Sequence, residues 1–336
     1  MRVTHPKLPF ALCLLALGCS AETDARASDP ALEAAVNAQL LLAPPARGFQ
    51  VQTQGMMVEP GEDVRWCEVV QLPGGPEDTY YVNRIETAMT SHGEDLVVSA
   101  AELGSQTAAI MDVGSRVPCT RAGEAFGEEL VQITATQHAR HDQRYSPNVG
   151  QVLFGGQKVA VDYHYFNDGE APLGAKVKLN FHTVDETAVL HVARTAGFDN
   201  LTIYTPPGGY SSHLGQCRMS QDVVVGELVR RTQKRGTNFR VWVVGGARDG
   251  ELLWHSEHPD DARIELDAPL VLAAGEGFRF ECDYHNTTDL ELRFGVNAGD
   301  ERCALNATYW LPDEHAQAHP QGCLLFQVDQ DGVARK

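Results

Sequence analysis

The feature that most constrains this chain is residues 277–310, where two cysteines flank alternating apolar and polar residues. Apolar side chains alternate with charged or polar ones twice, first over residues 278–282 and again over 290–294. A period of two is typical of half-buried antiparallel strands, and residues 286–289 are predicted to form the turn between them. In a secreted chain, a bond between Cys282 and Cys303 would join neighbouring strands of one sheet. This stretch therefore predicts antiparallel β-structure.

The same alternation of apolar and polar residues extends over most of the chain. From residue 49 onward, short alternating runs are separated by Gly, Pro, Asn and Asp, with turn signals at roughly ten-residue intervals, which favours a sandwich or jelly roll over an α/β fold. The chain has 336 residues, 43% hydrophobic and 21% charged, so it can form two domains with substantial cores. We predict an all-β protein of two tandem antiparallel β-sandwiches, jelly-roll-like in type.

The charge balance limits the possible partners. The chain has 27 basic and 45 acidic residues, which gives a net charge of −18. Binding to nucleic acid requires a basic surface that contacts phosphates, so nucleic acid is not an expected partner. The acidic excess indicates a well-solvated surface.

The N-terminus has the pattern of an export signal. Arg2 and Lys7 precede an apolar run at 10–17, which is followed by Gly18, Cys19 and Ser20. This run is too short to span a membrane as a helix, and its end resembles a bacterial lipobox with Cys19 as the lipidated residue. Residues 1–19 are thus predicted to be a lipoprotein-type signal peptide, and 20–47 a tether. The expected location is the bacterial cell envelope, with the membrane as a partner through the lipid anchor; plain secretion is the alternative.

Cysteine usage agrees with export. Beyond Cys13 and Cys19, six cysteines remain, at positions 67, 119, 217, 282, 303 and 323. Six cysteines allow fifteen connectivities, and sequence alone does not choose among them. The chain has no CxxC pair, so zinc and thioredoxin-like interpretations have little support.

Several segments together resemble the copper type II, ascorbate-dependent monooxygenases, the family of peptidylglycine alpha-hydroxylating and dopamine beta monooxygenases. The matching segments are residues 64–73, 161–167, 204–209, 226–241 and 282–286. The resemblance covers residues 48–328 and implies sandwiches at 48–187 and 188–328, followed by a tail at 329–336. It also implies the disulfides Cys282–Cys303 and Cys217–Cys323, which leaves Cys67 to pair with Cys119.

The resemblance places six copper ligands, and this chain retains one. The first copper of the family takes three histidines, whose places are held here by Val98, Ser99 and His164. The second takes a His-x-His pair and a methionine, replaced here by Arg231, Gln233 and Arg302. Imidazole and thioether suit copper, whereas a guanidinium is always protonated and has no lone pair to donate. His164 is therefore either a residual metal ligand or a half-buried strand histidine.

Two hypotheses of function follow. In the first, the chain is a lipid-anchored binding or scaffold protein that has lost hydroxylase activity. In the second, it is an active copper monooxygenase, with ascorbate as reductant, that uses ligands outside the usual motifs. His138 and His141 are three residues apart, but the sequence around them reads as loop or strand and favours solvated histidines.

The replaced ligands could also form a new site. On the family scaffold Arg231, Gln233 and Arg302 should converge, and two guanidiniums with an amide suit a small-molecule or peptide carboxylate. The alternative is that each arginine pairs with a nearby acid such as Glu301 or Asp300.

Overall fold

The computed structural model describes residues 36, 38, 40–127, 129–258, 262–314 and 316, and the backbone alone of Asp267 and of strand residues 322–325, 327–328 and 333–335. The predicted signal peptide and Cys19 lie outside the described residues. Among those that are described, no helix is long and apolar enough to cross a membrane.

Within the described residues, the first sandwich contains thirteen strands and two five-residue helices. The strands are β1 (Gly48–Gln52), β2 (Met56–Val58), β3 (Asp63–Gln71), β4 (Thr79–Met89), β5 (Gly93–Ala101), β6 (Arg116–Pro118), β7 (Leu130–Thr136), β8 (Arg140–Arg144), β9 (Val149–Phe154), β10 (Lys158–Phe166), β11 (Leu173–Ala175), β12 (Val177–Val184) and β13 (His191–Val192). The helices are α1 (Gln106–Ile110) and α2 (Ala122–Phe126).

The second sandwich contains the remaining strands. They are β14 (Arg194–Asn200), β15 (Tyr204–Thr205), β16 (Tyr210–Arg218), β17 (Val223–Thr232), β18 (Gly236–Val244), β19 (Leu252–Ser256), β20 (Arg263–Leu272), β21 (Gly277–His285), β22 (Leu292–Arg293), β23 (Cys303–Trp310), β24 (Gly322–Leu325), β25 (Gln327–Val328) and β26 (Val333–Arg335).

Each sandwich is formed by two sheets around its own apolar core, which confirms the predicted all-β class. In the first, the sheet β1-β12-β4-β9-β13, with β8 on β4, faces the sheet β6-β3-β10-β5-β7. In the second, β20-β17-β23-β14-β24 faces β19-β18-β21-β16-β26-β25. Two short pairs, β2 with β11 and β15 with β22, lie outside these sheets.

The domain limits differ in detail from those inferred from sequence. Strand β13 pairs in parallel with β9, so the chain passes to the second sandwich at Ala193 rather than near 187. The predicted tail is wrong in part, because β26 pairs in parallel with β16 and extends the second sandwich. Part of the predicted tether is also packed: Val36 and Leu40 are buried, and the carbonyl of Leu40 accepts a hydrogen bond from Lys178 Nζ at 3.2 Å.

The disulfides agree with the predicted pairing but not with the predicted hairpin. Cys67–Cys119 and Cys282–Cys303 are confirmed. The second bond joins β21 to β23, which belong to opposite sheets, so the expectation of neighbouring strands in one sheet is wrong. Cys217 is also disulfide-bonded, whereas the side chain of Cys323 lies outside the described residues, so their pairing stays a prediction.

The two sandwiches share an interface with both polar and apolar contacts. Gln143 of β8 donates to Glu227 of β17 at 3.1 Å, and Thr308 of β23 donates to the same carboxylate oxygen at 3.0 Å. Trp310 packs with Val149 of the first sandwich, and its ring lies so close to Gly226 that a Cβ there would come within 2.7 Å of it. These contacts join β8 and β9 of the first sandwich to β17 and β23 of the second.

Candidate functional site

His164 lies in a row of polar side chains across three strands of the first sandwich. It is directly opposite Arg65 on β3 and Asp95 on β5. Directly paired residues project from the same face of a sheet, so these three side chains share the face that meets the second sandwich. Asp162, two residues before His164 on β10, belongs to that face as well.

The second sandwich places two arginines against this row. Arg231, near the end of β17, donates to both oxygens of Asp95 at 2.7 Å. Arg302, immediately before β23, donates to Asp95 Oδ2 at 3.2 Å. Arg65 reaches Asp95 at 2.9 Å and Asp162 at 2.8 Å. We call these five residues the ion cluster: Arg65, Asp95, Asp162, Arg231 and Arg302.

Every member of the ion cluster is buried, and this shapes its electrostatics. Burial alone would raise the pKa of Asp95, but Arg231, Arg65 and Arg302 hold it far below its usual range. Burial raises the pKa of Asp162 despite its contact with Arg65. Burial, reinforced by repulsion from Arg231 and Arg65, lowers the pKa of Arg302 to about 10. Arg302 is thus the member whose charge is least well compensated.

Gln233 does not join the two arginines. With its side-chain amide oriented so that the NH2 group faces acceptors, Gln233 donates to the carbonyl oxygens of Asn297 at 3.0 Å and Asp300 at 3.1 Å. The backbone N–H of Gln233 donates to Glu301, which also accepts from the N–H of Arg235. Burial raises the pKa of Glu301 to about 7. The acid that pairs with Arg231 and Arg302 is therefore Asp95 of the other sandwich, rather than Glu301 or Asp300.

His164 is held by a carboxylate that also contacts the second sandwich. Its Nε2 lies 2.6 Å from Asp63 Oδ1, and Asp63 Oδ2 accepts from the backbone N–H of Ala298 at 2.6 Å. His164 is only 2% exposed. These contacts favour the interpretation of His164 as a strand histidine bonded to a neighbour, here Asp63, over that of a residual metal ligand.

The other two positions of the first copper site do not approach His164. Val98 is fully buried in the core of the first sandwich. Ser99 lies opposite Ala160, four residues from His164 along β10, or about 13 Å at 3.3 Å per strand residue. The residue that faces His164 across β5 is Asp95. The structure therefore does not bring the positions Val98, Ser99 and His164 together.

A cavity of about 150 Å³ adjoins the ion cluster between the sandwiches. Its lining combines acidic, basic and amide groups: Glu94, Asp95, Gln137, His138, His164, Arg230, Thr232, Gln233, Lys234 and Arg302. Lys234 of the second sandwich contacts two residues of the first. Its ammonium lies 3.0 Å from the carboxylate of Glu94 and 4.8 Å from the ring centroid of Phe166.

These residues do not fit the copper sites implied by the resemblance. Guanidiniums stand where two ligands are required, and the carboxylate between them is already bound by three arginines. Among the described residues, the one group of three potential ligand atoms close enough to hold a metal is Cys67, Cys119 and Asp162, and its cysteines form a disulfide. His138 and His164 line one cavity without meeting a third ligand in this way.

His141 is not solvated as the sequence predicted, because it lies half-buried on β8 beside Arg263. Burial, with the nearby charges of Arg263 and His138, lowers the pKa of His141 to about 4. His92 lies 3.2 Å from Asp168, and His255 lies near Asn238 and Glu257 on the surface.

Sequence reasoning missed Arg65, Asp95 and Asp162, although a signal was present. Arg65 lies between Val64 and Trp66, Asp162 lies between Val161 and Tyr163, and Asp95 directly precedes the apolar residues 96–98. Charged residues in such strands are rarely buried unless they are paired. Their pairing partners come from distant strands, so the sequence could indicate that partners exist but not which residues they are.

Comparison with known proteins identifies no family. No protein-family model and no curated protein matches the chain. Among solved structures, the STIV MCP is 6% identical, with a TM-score of 0.29 over 79% of this chain and 98% of that one. A Broad Bean Stain Virus structure is 9% identical, with a TM-score of 0.31 over 79% and 94%. The major capsid protein P2 from Bacteriophage PM2 is 8% identical, with a TM-score of 0.26 over 79% and 99%. Scores this low carry no functional inference, so function must be inferred from the residues of the chain itself.

Proposed function

We propose that this chain is an exported, lipid-anchored binding or scaffold protein that has lost the hydroxylase activity of the monooxygenase family it resembles. The observation that carries the proposal is the convergence of Arg231 and Arg302 on Asp95. Two positions of the implied second copper site thus supply hydrogen-bond donors to a carboxylate of the other sandwich.

The chemistry of this arrangement opposes oxygen activation by copper. In the family, one copper relays an electron from ascorbate and the other activates dioxygen for hydroxylation of a C–H bond. Here a cation at the second position would meet two guanidiniums, and at close range in a buried site that repulsion is worth several kcal/mol. Displacing Asp95 to ligate the metal would leave Arg231 and Arg302 buried without their partner, which is also costly.

The same contacts suit a scaffold. Arg231 and Arg302 come from one sandwich and Asp95 from the other, so their hydrogen bonds fix the relative placement of the two domains. Asp63, which contacts His164, also accepts a hydrogen bond from the N–H of Ala298, and this is a second connection between the two domains.

Oxygen uptake provides the functional test. The mature protein, loaded with copper and supplied with ascorbate and a panel of peptide and amine substrates, should consume no oxygen beyond that of a matched chain-free copper control. Substrate-dependent oxygen uptake by the wild type would overturn the proposal.

The runner-up is a working copper monooxygenase with ligands outside the usual motifs. One observation favours it: His138 and His164 line the same cavity. If substrate-dependent turnover occurs and is lost in both His138→Ala and His164→Ala, while the exposed control His255→Ala retains it, this second function holds.

Anchoring is tested separately. If Cys19 is lipidated, the mature chain begins there and sediments with membranes, since diacylation supplies apolar chains sufficient for stable attachment. The variant Cys19→Ala should be released or left unprocessed. Unchanged membrane association of that variant would show that the anchor lies elsewhere.

A further inference from the structure

The ion cluster carries more positive than negative charge. Its three guanidiniums share two carboxylates, at distances from 2.7 to 3.2 Å. Among the described residues, the next carboxylate near Arg302 is Asp199, at 3.8 Å. Arg302 Nε is buried and lacks a hydrogen-bond partner within this described part of the chain. A buried charge without full compensation is unfavourable, and a bound anion would relieve it.

The cavity beside the cluster gives such an anion a place to bind. Arg302 and Lys234 both line it, and Arg230 adds a third cation. The acids in its wall already have partners, because Asp95 accepts from three arginines and Glu94 lies 3.0 Å from Lys234. Arg231, which is bound to both oxygens of Asp95, does not line the cavity.

We propose that this interdomain cavity binds a small monocarboxylate through Arg302 and Lys234. A carboxylate suits the guanidinium of Arg302, because charge-assisted hydrogen bonds between these two groups are short and strong. A single negative charge matches the single excess positive charge of the cluster, whereas a dianion would also face Glu94 and Asp95. A cavity of about 150 Å³ holds roughly five waters by volume, so the ligand has few non-hydrogen atoms, in the range of acetate or lactate.

The proposal deepens the binding role proposed above, but it fails independently of it. Oxygen uptake tests the loss of hydroxylase activity and gives no information on carboxylate binding. Carboxylate titration tests this cavity alone.

The experiment is calorimetric titration of the mature two-domain protein with sodium acetate and sodium lactate, with sodium chloride as the control for ionic strength. We expect saturable binding of one carboxylate per chain, with an affinity that falls as salt increases. Lys234→Gln should weaken binding about tenfold or more, as expected for loss of a charged hydrogen bond. Lys234 is 45% exposed, so this variant should remain folded.

Two further variants complete the test. Arg302→Gln should weaken binding at least as much as Lys234→Gln, and the matched control Arg293→Gln should leave it unchanged, since Arg293 is 65% exposed and lies outside the cavity. The proposal is overturned if neither acetate nor lactate binds saturably to the wild type. It is equally overturned if Lys234→Gln and the control bind with the same affinity.

Discussion

Asp95 is the carboxylate that all three arginines of the ion cluster contact. It lies in a strand of the first sandwich, yet two of its three arginine partners come from the second. A buried ion pair is weak evidence for net stability, because desolvation of both charges opposes their attraction. Removing one member is different, since it leaves the others buried and unpaired. The cluster is therefore expected to define the docking geometry more than to add net stability.

The first prediction at this scale concerns that carboxylate. Asp95→Asn keeps the shape of the side chain and removes its charge, so the free energy of unfolding should fall by about 3–5 kcal/mol. Asp199→Asn is the matched control, because Asp199 is 21% exposed and lies 3.8 Å from Arg302, and its effect should be about 1 kcal/mol or less. Chemical denaturation measures both. Equal stabilities of the two variants would contradict a central role for Asp95.

A second residue, Glu68, should make stability depend on pH. Glu68 is 1% exposed, and burial raises the pKa of its carboxyl group from the usual 4.5 to about 7. Between these values the folded state binds more protons than the unfolded state, so stability falls as pH rises from about 4.5 to 7. The loss from this one group is at most about 3 kcal/mol.

Glu68→Gln should reduce that dependence. The amide can still accept from the N–H of Gln54 and donate to the hydroxyl of Tyr163, the two present partners of the carboxylate. Unfolding free energies at pH 5 and pH 7.5 should therefore differ less in this variant than in the wild type, with exposed Glu170→Gln as the control. An unchanged difference would show that Glu68 does not titrate in this range.

At the scale of strands, the alternation of apolar and polar residues predicts which side chains are buried but not how the strands pair. Strand β21 was predicted over most of its length, because Phe278, Phe280 and Cys282 alternate with polar residues and all three are buried. The strand expected at 290–294 is reduced to β22, which pairs with β15 instead. Alternation specifies which side chains are buried, but it does not specify which strand is the partner.

The site was predictable to a smaller extent for the same reason. The resemblance drew attention to Arg231 and Arg302, and the structure brings them together on one carboxylate. It placed Val98 and Ser99 beside His164, whereas strand register puts Asp95 there. Register within a sheet depends on contacts between residues far apart in sequence, and a displacement of a few residues along a strand changes the neighbours completely.

The remaining disulfide is the prediction that belongs to this scale. Cys217 lies on β16 and Cys323 on β24, strands of opposite sheets, so a bond between them would tie the second sandwich together as Cys282–Cys303 does. Peptide mapping without reduction should recover a linked Cys217–Cys323 peptide, with the Cys67–Cys119 peptide as the internal control. Recovery of Cys217 linked to any other cysteine would contradict the scheme.

Over the whole molecule, the ion cluster and the polar contacts around it join the two sandwiches. Glu227, Gln143 and Thr308 form one polar contact, and Trp310 packs against the first sandwich beside them. Domains tied by several buried polar contacts are expected to keep a fixed relative placement rather than to move as independent units. Such an arrangement favours a binding or scaffold role over redox catalysis.

The central claim is that guanidiniums and a carboxylate occupy the position of the implied oxygen-activating copper, and copper binding tests it most directly. The mature wild-type protein should be titrated with Cu(II), and with Cu(I) under ascorbate, against a chelator of known affinity. We predict no ion bound stoichiometrically with a dissociation constant below about 1 μM. Stoichiometric copper binding tighter than this, lost in His164→Ala and retained in His255→Ala, would contradict the account.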